Sequence, residues 1–319
     1  MVAELAENAT QVGRTLQQPM SPRYRGFPAL RPGDRVVVVA PAGPFDRATF
    51  EAGIEIVARR YRVHYDPGVL TRHRYLAGSD ERRLGELAAA LVDTESRGVF
   101  CARGGYGVMR LLAALDDIVF PRKPVIGFSD LTALHQLLQR EHLVSIHGPT
   151  LTQLPKLDTP AHERLFGLLE SDSPAAELSG AETYVEGLAE GPLIGGNLSV
   201  LTRLLGTPFL AELEDAVLLL EDVGERPYRL DRMWTHLALA GVFRKVRGIV
   251  LGGFTGCEEK DAGYSSADVL RELARATGLP CAAGFPIGHD APNQPVPLGV
   301  RVRLDASRRR LTFLESATE

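Results

Sequence analysis

The run Arg35-Val36-Val37-Val38-Val39-Ala40 constrains the fold more than any other stretch. Its β-branched residues favour extended backbone. With no polar alternation, neither face of such a strand can meet water. A strand buried on both faces needs covering helices, and therefore parallel neighbours joined by crossovers. The chain that follows supplies them. Asp46 to Arg60 carries Phe50, Ile54, Val57 and Ala58 at helical spacing, and Tyr61 to Tyr65 reads as a short strand. Ser79-Asp80-Glu81 opens a helix that runs to about Val92. Gly98 to Ala102 is a strand ending in Arg103-Gly104-Gly105-Tyr106-Gly107. A helix over Met109 to Leu115 precedes the strand Pro124-Val125-Ile126, and Val144 to His147 reads as a further strand.

Alternating strands and helices, with Gly-rich loops at strand C-terminal ends, predict an α/β fold with a doubly wound parallel sheet. We assign residues 28–155 to this domain, of the flavodoxin or glutamine-amidotransferase kind. Residues 1–27 are polar and read as a flexible tail. Residues 156–190 are richer in Pro, Ser, Asp and Glu and read as the inter-domain linker. Residues 191–319 read as a smaller, strand-rich α+β domain. Its strands are expected at Ala216–Leu220, Lys245–Phe254 and Pro280–Ala283, with a hairpin at Val300–Asp305 and Arg310–Leu314. Its helices are expected at Leu198–Leu205, Leu230–Ala240 and Ala267–Ala276.

Composition removes several classes of function. The chain has 319 residues and a net charge of −4, with no basic patch of the kind that binds nucleic acid. No apolar run approaches a membrane span, and Met1 to Met20 has no signal-peptide core. Cys101, Cys257 and Cys281 form no C-x-x-C pair, which suits reduced thiols in the cytoplasm. No His/Cys/Asp/Glu cluster has metal-ligand spacing, so no metal is expected. The Arg103–Gly107 loop lacks the lysine of a P-loop and the full dinucleotide fingerprint.

The chemistry concentrates at Ile126-Gly127-Phe128-Ser129-Asp130-Leu131-Thr132. A strand ends there, and Leu131, Leu134, Leu137 and Leu138 begin an amphipathic helix. Ser129 therefore sits at a strand-to-helix turn, where its hydroxyl can project into a cleft beside free backbone N–H groups. The simpler reading is that Ser129 or Asp130 caps the helix. A serine nucleophile needs a base and an orienting carboxylate. His289, between Gly288 and a Pro-rich loop, and His147, at a strand end, compete as base. Glu221 follows five apolar residues, so its charge ends a buried strand and needs a partner. That partner is a histidine, or else Arg226, Arg229 or Arg232. The forked guanidinium of these arginines also suits a substrate carboxylate.

Seven segments follow in one order: Arg103–Gly107, Ile126–Thr132, His147-Gly148-Pro149, Gly195-Gly196-Asn197-Leu198, Leu220-Glu221-Asp222, Arg226–Arg232 and Gly288-His289. Together they resemble the LD-carboxypeptidase family of serine peptidases, across residues 30–315. The resemblance implies a triad of Ser129 as nucleophile, His289 as general base and acid, and Glu221 orienting His289. It implies oxyanion donors on the backbone of Asp130 and of the Gly104-Gly105 loop, Gly105 being preferred. Arg103 and Arg229 are expected to bind substrate. The family's reaction removes D-Ala from a murein tetrapeptide, and its members are typically cytoplasmic homodimers without metal or cofactor. Some relatives instead hydrolyse amides of peptidyl or aminoacyl-sulfamoyl adenylates, using an aromatic platform for adenine. Between Ser129 and Glu221 the aromatic residues here are Phe166, Tyr184 and Phe209. A non-catalytic protein that binds a small acidic ligand is the alternative of another class.

Overall fold

A computed structural model describes residues 23–261, 263–290 and 292–319. In chain order the first part runs β1 (Arg35–Val39), α1 (Arg47–Ala58), β2 (Arg62–His64), α2 (Asp80–Val92), β3 (Gly98–Cys101), α3 (Leu112–Leu115), β4 (Val125–Gly127), α4 (Thr132–Arg140) and β5 (Ser145–His147). The middle holds α5 (Thr159–Glu170), β6 (Leu178–Ser179), β7 (Glu182–Val185), β8 (Leu188–Asn197), α6 (Leu198–Leu204) and β9 (Val217–Val223). The last part is α7 (Pro227–Leu239), β10 (Gly248–Thr255), α8 (Ser266–Thr277), β11 (Cys281–Ala283), β12 (Val296–Leu298), β13 (Arg301–Asp305) and β14 (Arg310–Phe313).

The first sheet has the order β12-β5-β4-β3-β1-β2. Strands β1 to β5 pair in parallel, giving the doubly wound arrangement. Val36 to Val39 are buried, as a strand covered on both faces requires. Helix starts follow the local sequence: Asp46 accepts the Thr49 N–H ahead of α1, and Ser79 the Arg82 N–H ahead of α2. Strand order reverses at β1 and β3, where ligands collect in such sheets. The loops after these strands meet there, Gly43 N donating to Gly104 O at 3.0 Å.

The second sheet runs β6-β14-β13-β8-β9-β10-β11-β7. Helix α4 lies between the sheets. Every residue from Thr132 to Gln139 is buried, beyond the single apolar stripe expected. Its polar face is satisfied by β8: Gln136 and Gln139 donate to the carbonyls of Gly195 and Leu193, and Thr132 Oγ1 accepts the Asn197 N–H at 2.9 Å. The helix that delivers Ser129 is thus bonded to the half of the chain that delivers Glu221.

Three local readings change. Residues 156–190 hold α5, β6 and β7, and both strands join the second sheet, pairing with β14 and β11. Strand β12, from the C-terminal part, crosses back and pairs antiparallel with β5 in the first sheet. The helix expected over Met109–Leu115 divides into a 3-10 turn, Val108–Arg110, and α3; the buried Asp130 carboxylate accepts the Val108 N–H at 2.9 Å at the start of that turn. Within the expected tail, residues 1–22 lie outside the described residues. Residues 23–27 are docked, with Arg25 bridged to Leu143, Phe27 bridged to Thr318, and Tyr24 and Phe27 buried.

Candidate active site

Ser129 follows β4 by two residues and holds φ at +65°, in the left-handed region. A short 3-10 turn, Ser129–Leu131, leads directly into α4. The turn is anchored below by Leu131 and Leu134 and beside by Asp130, all buried. Burial pushes the Asp130 carboxyl up to about 6, against the backbone hydrogen bond from Val108. The loop after β3 packs onto the serine. A Cβ on Gly104 would lie 2.9 Å from Ser129 Cβ, so only glycine permits this approach. Gly104, rather than Gly105, is the member of the pair pressed against Ser129. Among the described residues, the hydrogen bonds between elements include none from the N–H of Asp130 or Gly105. Both are available to a ligand oxygen.

Glu221 lies inside β9, opposite Asn197 of β8, and is fully buried. Its Oε2 contacts His289 Nδ1 at 2.7 Å. Burial pushes the Glu221 carboxyl above the ordinary carboxylate range, and the His289 hydrogen bond opposes that push. None of the three nearby arginines pairs with Glu221. Arg226 faces Glu259 and Arg229 faces Glu225, and Arg232 has no carboxylate partner among the described residues. Asp222 points to the opposite side of β9, as strand alternation requires. It accepts from Asn197 Nδ2 and from the backbone and hydroxyl of Ser199, at the start of α6.

Ser129 and His289 line one cavity of about 390 Å³, together with Arg103, Gly104, Gly105 and Lys156. Ser129 Oγ makes no hydrogen bond among the described residues. In unliganded sites the nucleophile–base contact is often long and tightens with substrate. Phe128 lies between two rings, its centroid 4.7 Å from that of His289 and 5.8 Å from that of His147. His147, the competing base, is fully buried behind Phe128 and does not line the cavity. Burial drives its pKa well below 6.5. An imidazole hydrogen-bonded to a carboxylate, in the same cavity as a serine hydroxyl, can activate that hydroxyl and protonate a leaving group once a substrate brings serine and imidazole together.

Arg103 lines this cavity, and Arg229 does not: it lines a separate one on α7. The sequence reading missed Asn293. Its side chain accepts the Gly288 N–H at 3.0 Å and donates to Gln153 Oε1 at 2.7 Å, tying the His289 loop to the far wall of the cavity. It also missed Lys156 on that wall. A buried asparagine in a Pro-rich loop and an isolated surface lysine have no spacing that marks them. Among the described residues, no group of three or more His, Cys, Asp or Glu side chains is placed to hold a metal ion. No helix there is long and apolar enough to cross a membrane.

Residues 36–148 match the family description "LD-carboxypeptidase N-terminal domain" and residues 190–304 match "LD-carboxypeptidase C-terminal domain". A carboxypeptidase-named protein of Synechocystis sp. is 39% identical over 294 residues, covering 89% of this chain and 96% of that protein. The murein tetrapeptide carboxypeptidase of Pseudomonas aeruginosa is 35% identical over 295 residues, covering 86% of this chain and 94% of that protein. Among solved structures, muramoyltetrapeptide carboxypeptidase from Oxalobacter formigenes superposes with a TM-score of 0.76 at 26% identity, covering 87% of this chain and 97% of that one. The wild-type microcin C7 self immunity protein MccF gives 0.81 at 22% identity, covering 92% and 99%, a likeness of fold. This chain belongs to the LD-carboxypeptidase family and is a serine-type carboxypeptidase.

Proposed function

We propose that the enzyme removes the terminal D-Ala from murein tetrapeptides, cutting the meso-diaminopimelate–D-Ala bond through an acyl-enzyme. It does so in the cytoplasm, as a homodimer, in the recycling of cell-wall peptides. The observation that carries this reading is the 2.7 Å Glu221–His289 contact opening onto the cavity that exposes Ser129. The murein names of relatives supply the substrate class, and three free, buried cysteines suit a reducing compartment. Membership of a peptidase family sets aside the non-catalytic binding protein.

In this mechanism His289, oriented by Glu221, takes the Ser129 proton as the oxygen attacks the scissile carbonyl. The oxyanion develops against the N–H groups of Asp130 and Gly105, which need no reorganisation. His289 then protonates the amine of the departing D-Ala. Water activated by the same imidazole hydrolyses the ester and restores Ser129. Arg103 and Lys156 supply positive charge at the cavity wall for the carboxylate of the terminal D-Ala.

The MccF-like fold keeps one second reading in view, hydrolysis of aminoacyl-sulfamoyl adenylates. Against it, none of Phe166, Tyr184 and Phe209 lines the cavity around Ser129. The test is mass spectrometry of L-Ala-γ-D-Glu-meso-diaminopimelate-D-Ala incubated with wild type and with Ser129→Ala, with and without chelator. D-Ala released by the wild type alone, unaffected by chelator, is the expected result. A folded wild type that spares the peptide and cleaves an aminoacyl-sulfamoyl adenosine would transfer the assignment to the second reading.

A further inference from the structure

A second cavity, of about 740 Å³, is lined by residues of α6, α7 and the turn that joins β9 to α7. It takes up part of the Arg226–Arg232 segment, for which the cavity at Ser129 has no use. Arg229 and Arg232 line it, with Arg203 of α6 and the carboxylate of Glu225. These groups leave two positive charges in excess, on a chain whose net charge is −4. A concave wall of one sign focuses the field and draws the opposite charge to it.

The way each group is held shows that this charge is left uncancelled. Both oxygens of Glu225 are engaged, Oε1 by the Ser199 hydroxyl at 3.2 Å and Oε2 by Arg229 Nη1 at 3.4 Å. The other two arginines have no carboxylate. Arg203 Nη1 donates to the Ser199 carbonyl at 2.7 Å, and its Nε and Nη2 make no hydrogen bond among the described residues. Arg232 lies over the Tyr228 ring, 5.7 Å from the centroid, and makes neither a hydrogen bond nor an ion pair among the described residues. Arg229 lies over the same ring at 5.8 Å. A carbonyl and an aromatic face hold a guanidinium in place without neutralising it. Exposed arginines outside the cavity pair instead with acids: Arg226 with Glu259, Arg303 with Glu190 and Arg310 with Glu177.

The ligand class follows from the forks and the charge. Guanidinium groups bind oxyanions through paired N–H···O bonds. A single carboxylate would cancel one of the two excess charges. A phosphate monoester carries close to two negative charges at neutral pH and three terminal oxygens, enough to cancel both and to serve more than one fork. We infer that this cavity is a binding site for a phosphate group, separate from the cavity at Ser129, with Arg203, Arg229 and Arg232 as its donors. The site asks nothing of the reaction at Ser129.

The test is calorimetric titration of the full-length protein with inorganic phosphate, glycerol 3-phosphate and malonate at constant ionic strength, since surface charge is screened by salt. Phosphate or its ester is expected to saturate one site per chain and to bind at least about tenfold more tightly than malonate. Arg203→Met and Arg232→Met should each weaken that binding about tenfold or more, the scale of one charge-assisted hydrogen bond. Arg47→Met removes the same charge from the exposed start of α1 and should leave the affinity unchanged. All three positions are exposed, and equal urea midpoints verify that the variants fold. Tighter binding of the ester supports the site with an organic phosphate as occupant, and equal binding supports it with the free ion. The inference is overturned by the lack of saturable binding, by malonate binding as tightly, by unchanged affinity in both cavity variants, or by an equal loss in Arg47→Met.

Discussion

Ser129 holds φ at +65°, where an L side chain costs roughly 1–2 kcal/mol. At that cost the backbone places Ser129 in the wall of the cavity it shares with His289. Glycine has no such penalty, although it gains freedom in the unfolded chain. Ser129→Gly should therefore lose turnover and become more stable by about 0.5–1 kcal/mol. A melting temperature below that of the wild type would show that the turn stores no strain. Gly288 is the matching case beside His289. At φ +124°, a Cβ there would lie 2.8 Å from Glu221 Oε2, the atom that contacts His289. Gly288→Ala should displace that pair and lower kcat about a hundredfold, the scale expected of small misplacements at a reacting centre. Unaltered kcat in a folded variant would show that the loop absorbs the methyl group.

At the scale of elements, the loops around the cavity are held by buried polar ties. Arg83, on α2, is fully buried. It donates to Pro41 O in the loop after β1, to Gly107 O in the loop after β3, and to Asp80. One side chain thus clamps the two loops that meet beside Ser129. Arg83→Met should cost about 1–3 kcal/mol in urea unfolding, because the buried Pro41 and Gly107 carbonyls lose their donor, while the part-exposed Asp80 keeps Arg110. A loss below about 1 kcal/mol would mean that water replaces the guanidinium without penalty. Asn293 does the same for the other wall, between Gly288 and Gln153. Asn293→Ala should cost about 1–3 kcal/mol and lower kcat more than it raises KM, since it loosens the base and not the substrate. Steady-state kinetics beside thermal unfolding distinguishes this from a purely structural loss, in which kcat per folded molecule is unchanged.

Across the whole molecule, the seam between the two sheets holds two histidines that remain neutral. Burial lowers the pKa of His135 to about 4 and that of His147 well below 6.5. In the unfolded chain both take up protons near pH 6.5. As pH falls from about 6.5 toward 4, the unfolded state gains protons that the folded state refuses, and stability falls. Asp130 acts in the opposite sense. Its carboxyl, pushed up to about 6, contributes stability that is lost as pH rises from about 4 through 6. Glu86, Glu221 and Asp222, also raised by burial, act with Asp130, while Asp46, Asp80, Glu81, Asp93, Glu170 and Asp268, held low by hydrogen bonds and ion pairs, lose stability alongside the two histidines as pH falls. The second set is the larger, so the melting temperature should drop between pH 7 and pH 4.5; a rise over that range would refute this balance. The same seam shows how far a one-dimensional reading reaches. The valines of β1, the helix starts at Asp46 and Ser79, the turn at Ser129, the buried strand through Glu221 and the tight loop at His289 were all legible, although β9 runs on past Glu221 to Val223, because periodicity, capping and turn chemistry act over a few residues. The seven spaced segments also carried the family. The residues around Glu221 left a histidine and three arginines open as its partner; the resemblance implied His289, and the tertiary structure supplies the 2.7 Å contact. Tertiary structure alone decided that His147 is sealed behind Phe128 and that Arg229 faces a different cavity. It also decided that β6, β7 and β12 complete sheets begun elsewhere in the chain, since strands of two to four residues have too little pattern to read. Each of these depends on contacts between residues far apart in sequence, and local pattern specifies faces and ends without naming what they will touch.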